Sequence, residues 1–185
     1  RRKLLGQEPR LLNVLDRGAK ESNWETPIGK NRGRGIALQE SFGSIVAEVV
    51  EVSVDKGSIS VDRVVIAVDP GFAVAPDGLK AQMESGVIFG LTAALYGEVS
   101  IENGRVQQSN FDSYPMVRMA DSPVIETHII NSYEPWGGAG EPGTPGIAPA
   151  LANAIYAATG TRVRELPVSK YEFNVAFEER NTVPS

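Results

Sequence analysis

The 185-residue sequence has no cysteine, a single histidine and few aromatic residues (7%). Without cysteine the chain supplies no disulfide, no thiolate nucleophile, no iron–sulfur ligation and no haem attachment of its own. With His128 as the lone histidine, a histidine-based zinc site is not expected. No apolar run reaches the length of a membrane-spanning helix, and no signal-peptide pattern opens the chain. Positive charge is not in excess either. Eighteen Lys and Arg stand against 23 Asp and Glu, a formal net charge of -5, which argues against nucleic acid as a partner. The basic residues between Arg1 and Arg34 read as a solvated face. The first residue is Arg1 rather than Met, so the chain is expected to be a processed product or an excised piece.

What is present fits one globular domain with a sizeable core: 42% hydrophobic and 22% charged residues. Leu11, Leu12 and Leu15 share a helical face, and Pro9 suits the first turn of a helix reaching about Glu21. Residues 24–35, with Pro27 and three glycines, read as a loop. Residues 35–41, 44–55 and 58–68 read as strands. In the second of these Val46, Glu48, Val50, Val52 and Val54 fall on one face, and Asp55-Lys56-Gly57 signals a hairpin. The run from Val64 to Val68 suggests a strand buried on both faces. Residues 79–96 form the strongest helix pattern, with Met83, Val87, Gly90, Leu91, Ala94 and Leu95 on one face. A hairpin turning at Asn103-Gly104, a strand over 124–132, a helix over 149–159 and a short strand over 162–167 complete the chain. Residues 171–185 are polar and aperiodic and read as a mobile tail. The expected fold is α+β, a mostly antiparallel sheet with two long helices packed on one face. The expected organisation is an N-terminal helix and loop over 1–34, a main body over 35–170 and the tail.

The stretch from Trp136 to Gly160 is the most distinctive. It opens as a loop rich in Gly and Pro, closes as an Ala-rich helix, and holds one acidic residue, Glu141. Small residues let the backbone approach a ligand closely. A lone carboxylate before a helix start is either a dipole partner or a working group. Pro142, Pro145 and Pro149 leave few N–H donors for Glu141 to cap. Gln82, near the start of the long helix, can offer a donor and an acceptor to a polar ligand or be a solvated amide. His128 reads as a hydrogen-bonded structural residue, and Asp69 as a turn cap.

Several segments together carry a resemblance. Residues 33–49 (G-R-G-I-A-L-Q-E-S-F-G-S-I-V-A-E-V), 67–76 (A-V-D-P-G-F-A-V-A-P), 81–86 (A-Q-M-E-S-G), 107–111 (Q-Q-S-N-F), 137–154 (G-G-A-G-E-P-G-T-P-G-I-A-P-A-L-A-N-A) and 157–167 (A-A-T-G-T-R-V-R-E-L-P) occur in an ordered spacing. In that order they resemble the C-terminal part of the large subunit of molybdenum hydroxylases. This is the xanthine oxidase and aldehyde oxidoreductase family, in its isoquinoline 1-oxidoreductase beta-subunit branch. The resemblance spans about residues 32–167 and departs from the branch at Pro70 (commonly Cys), Ala75 (Asn) and Ser85 (Gly).

The resemblance implies a molybdopterin-binding domain and a molybdenum cofactor, in bacterial members usually molybdopterin cytosine dinucleotide. It implies that an aldehyde or N-heteroaromatic substrate is hydroxylated with water as oxygen source. Glu141 falls on the family's catalytic base, and Gln82 on its pterin contact, with Gly140, Ser85 and Gly86 beside it. No residue of this chain is expected to ligate the metal. The implied partners are an iron–sulfur subunit that carries electrons away, the N-terminal part of the large subunit and a small-molecule substrate. The compartment, bacterial cytoplasm or periplasm, is left open. The family's large subunits are several times longer. The chain alone is therefore expected to be inactive and to bind little or no cofactor. The other reading is a non-catalytic scaffold or subunit-interaction domain that keeps the fold.

Overall fold

Two long strands, each carrying apolar side chains on both faces, build the centre of the computed structural model, which describes residues 1–173. β2 (Ser44–Asp55) and β3 (Ser58–Asp69) pair antiparallel, with one register shift at Glu51/Val52. Their turn is Lys56-Gly57, both at positive φ (47° and 84°), the two-residue geometry whose twist matches the flanking strands. β1 (Arg32–Ser41) pairs antiparallel with β2 through a second turn of this kind, Phe42-Gly43. α1 (Pro9–Glu21) precedes β1, and α2 (Pro76–Leu95) follows β3. β4 (Ile101–Glu102) and β5 (Arg105–Val106) make a separate small hairpin. β6 (Val124–Ile129) then joins the main sheet beside β3, giving the order β1-β2-β3-β6. β6 runs parallel to β3, because the intervening α2 carries the chain back across the sheet before β6 starts. α3 (Ile147–Thr159) ends at Gly160, whose φ of 74° gives the left-handed cap.

The sheet has a helix layer on each side. On one face Val14 and Leu15 of α1 pack on Ile45, Ala47 and Ala67 and on Ile36, Val49 and Val65. On the other face Met83, Val87 and Leu91 of α2 and Ile147, Leu151 and Ile155 of α3 close over Val46, Val50, Val64 and Ile66. Each such aliphatic side chain contributes about 1.5–3 kcal/mol on full burial. α3 lies close on β1 because Gly33 and Gly35 face it. A Cβ at either glycine would collide with the backbone of α3 at Ala150, Ala154 or Ala158.

The α+β expectation therefore holds: the sheet is mostly antiparallel with one parallel pair, and α2 and α3 share a face. β1 starts at Arg32, inside the expected loop, since pairing with Ser53 extends it. α2 starts at Pro76, three residues early, with proline in the first turn, where no N–H is needed. Residues 162–167 are irregular and not a strand; Val163 packs on the main core without joining the sheet. Of the expected tail, Phe173 is buried and stacks on Tyr171, and residues 174–185 lie outside the described part. Among the described residues no helix is long and apolar enough to cross a membrane.

Candidate active site

The loop from Tyr133 to Gly146 runs from the end of the sheet to the start of α3, and each stretch of it is fastened to a different element. Tyr133 N–H donates to Gly71 O (2.9 Å) and Gly137 N–H to Pro70 O (3.0 Å), which hold the loop against the turn after β3. Gly138 N–H donates to Phe42 O (2.7 Å) and Ser44 Oγ donates to Gly138 O (2.6 Å), which hold it on the β1–β2 turn. Gln39 Nε2 on β1 donates to Pro142 O (2.8 Å), and Gln82 Nε2 on α2 donates to Gly140 O (2.6 Å). Thr144 N–H closes a turn onto Glu141 O (2.9 Å). The glycines permit this seating. Gly143 lies on Met83 of α2, Gly86 faces Gly143 and Thr144, and Gly137 lies on Gly43 and Ser44.

Glu141 stands at the crest of this loop with its side chain exposed. Gln82 lies in the second turn of α2 and is exposed. The two segments singled out in the sequence, around 82 and around 141, are thus brought together through the bond from Gln82 to Gly140. Gly140 has open space where a Cβ would stand. Ser85 is exposed one turn along α2, whereas Gly86 is buried beneath Gly143 and Thr144. Beside Gln82 and Gly140 opens a cleft of about 470 Å³ whose walls include Phe72, Val74, Leu79 and Trp136. Trp136 is 74% exposed. A carboxamide, open glycine backbone and an apolar wall meet here, next in sequence to the exposed Glu141, a combination suited to an organic ligand with polar groups along one edge.

The chemistry nearby was only partly foreseen. Asp69 does cap the turn, accepting from Gly71 N–H (2.8 Å), and it also accepts from Ser132 Oγ (2.8 Å) and Arg10 Nε (2.9 Å). Burial alone would raise its pKa. The Arg10, Gly71 and Ser132 hydrogen bonds and the Arg10 charge outweigh that and hold the carboxyl below its usual range. His128 lies on the α1 face with Nδ1 3.8 Å from Glu21 Oε2, across the sheet from the loop. Gln39, Ser44 and Glu48, which underlie the loop, were not singled out; their roles depend on contacts with residues about a hundred positions away.

Comparison with known proteins adds the following. The molybdopterin cofactor-binding domain family matches residues 17–123. The beta subunit of isoquinoline 1-oxidoreductase from Brevundimonas diminuta is 37% identical over 169 residues, 89% of this chain and 22% of that protein. The molybdenum-binding subunit of an aldehyde oxidoreductase from Escherichia coli (strain K12) is 30% identical over 144 residues, 72% of this chain and 20% of that protein. Among solved structures, the aldehyde oxidoreductase from Desulfovibrio gigas superposes with a TM-score of 0.60 at 22% identity, over 67% of this chain and 14% of that one. The chain thus spans about a fifth of the length of these curated relatives.

Proposed function

The chain belongs to the molybdopterin cofactor-binding domain family, and from that premise we propose that it forms one wall of the active site of a molybdenum hydroxylase. Its substrate is an aldehyde or an N-heteroaromatic compound, and water supplies the oxygen. The observation that carries the reading is the bond from Gln82 to Gly140 (2.6 Å), which sets a cofactor-facing amide directly beside the Glu141 loop.

The residues fit such a group along one edge. Gly140 leaves open space at its Cα, and the cleft beside it has room for an organic ligand. Gln82 and the backbone at Gly140 would hold the pterin, with Ser85 and Gly86 on the same helix shaping that edge. The cofactor, in its cytosine dinucleotide form, supplies a two-electron acceptor when bound. Glu141 provides the base. Its carboxylate would take a proton from the water-derived oxygen as that oxygen bonds the electrophilic carbon of the substrate, whose C–H electron pair is what the acceptor takes up. Its exposure in the loop leaves it accessible to a ligand. The tethers to Gln39, Ser44 and Gln82 hold the carbonyls on either side of it, so that the base is positioned before substrate arrives. The rest of the large subunit furnishes the opposite wall, and an iron–sulfur subunit takes the electrons.

The test is Glu141→Gln in the full subunit assembled with cofactor and partner. Turnover should fall by about 10²–10⁴-fold, the range for loss of a general base, with molybdenum content unchanged. Turnover near the wild-type rate in a molybdenum-replete mutant would reject the assignment.

A further inference from the structure

Glu48 is the one charged-type residue on the α3-facing side of β2, where Ser44 is the other polar one, and the catalytic reading makes no use of it. Its side chain is fully buried, and among the described residues neither carboxyl oxygen finds a hydrogen-bond partner. It lies directly under Gly146, the residue that ends the Glu141 loop and caps α3. A Cβ on Gly146 would overlap Glu48 Oε2 and would stand 3.4 Å from Gln39 Nε2. Gln39 and Glu48 occupy the same face of β1 and β2, and Gln39 already holds the loop at Pro142. Ser44, Gln39 and Glu48 on this face thus lie beneath Gly138, Pro142 and Gly146, before, beside and after Glu141 in the loop.

A buried carboxyl without a partner is costly to retain, and an apolar residue would fill the same space in a face built mostly of valines. We propose that Glu48 is a positioning residue for Glu141: its carboxyl, seated under Gly146, sets where the loop joins α3 and couples the loop's seating to the uptake of one proton. The proposal deepens the reading of Glu141 as the base, but its test does not require that reading.

Burial pushes the Glu48 carboxyl well above the ordinary carboxylate range. The groups packed against it offer nothing to offset this. The residues of β1 and β3 on this face are Gly33, Gly35, Ala37 and Gln39, and Val64, Ile66 and Val68. α3 contains no charged residue. The acidic residues of the covering loop, Glu134 and Glu141, are both exposed and bring no positive charge to it. Arg32, Arg34, Glu40, Arg63 and Asp69 belong to the opposite face of the sheet. The seated loop therefore binds the Glu48 proton more tightly than the lifted loop does. Seating is complete below the usual Glu range. It weakens by about tenfold per pH unit as pH rises from there towards the raised value.

The experiment is amide hydrogen exchange of the purified chain, followed by mass spectrometry between about pH 5 and pH 8 and corrected for intrinsic rates. Protection of residues 138–147 should fall by about tenfold per pH unit and lie well below that of β3 and α2, whose global opening carries the same proton. In Glu48→Gln, which keeps the shape without the titration, loop protection should be independent of pH. Loop protection equal to that of the core at every pH would overturn the proposal, because Glu48 would then report only global unfolding. So would a wild-type loop with no pH dependence, or the same slope in wild type and Glu48→Gln. Should Glu48→Gln fail to fold, Gly146→Ala provides a second arm. The added methyl presses on the carboxyl and should lower loop protection at every pH; unchanged protection there would also overturn the proposal.

Discussion

Asp69 and Glu48 are both buried carboxyls near the loop, and their surroundings drive them in opposite directions. Asp69, met by Arg10, Gly71 and Ser132, has its pKa lowered in spite of burial. Its stabilisation is complete above the ordinary Asp range and is lost as pH falls through the lowered native value. Asp69→Asn should therefore flatten the acid side of a urea-midpoint profile, below about pH 4. Asp69→Ala should cost about 2–4 kcal/mol at neutral pH, since it strands Arg10 and the turn donors, as read from urea unfolding. Glu48, whose pKa is raised by burial, gives the reverse sign, with stability lost as pH rises. Glu48→Gln should lift the midpoint on the alkaline side relative to wild type. Glu141 and Gln82 stood out in the sequence because of local composition: a single acid among glycines and prolines, and an amide near a helix start. Glu48 did not stand out, since one polar residue in a valine alternation is indistinguishable from a surface exception until α3 is seen to cover it. Gln39 and Ser44 were hidden for the same reason; their partners Pro142 and Gly138 lie 103 and 94 residues away.

At the scale of elements, the contact between α3 and β1 is set by absent side chains. Gly33 and Gly35 let the helix backbone rest on the strand, against Ala150, Ala154 and Ala158. Gly35→Ala should lower stability by about 1–3 kcal/mol through overpacking, measurable as a drop in thermal midpoint. It should also disturb the loop that leads into α3, since the helix must shift outward. α1, β2, β3 and α2 could be read from their periodicity to within a few residues, because their apolar patterns match the faces they bury. The direction of β6 could not. A short strand pairs either way on local pattern alone, and only the crossover by α2 makes it parallel to β3. Residues 162–167 misled for a related reason: Val163 and Leu166 suggest extended chain, yet the segment pairs with no strand and Val163 packs on the core instead.

For the molecule as a whole, the cleft beside Gln82 is open to one side, and the chain spans about a fifth of its relatives. The purified chain should therefore contain molybdenum far below one atom per chain. Elemental analysis finding a stoichiometric amount would show that one wall suffices to hold the cofactor. The tethers of the loop also impose an order on assembly. Tyr133–Gly146 leaves its large aromatic side chains, Tyr133 and Trp136, exposed, and it takes shape from Gln39, the β1–β2 turn, the end of β3 and Gln82. Such long-range pairings form late, after the entropy of closing large loops has been met. A chain with β1 undocked or α2 unformed cannot hold Glu141 in the position proposed for a base. Folding is thereby its own checkpoint: the loop's carboxylate reaches its place only once every element that must surround it is in place.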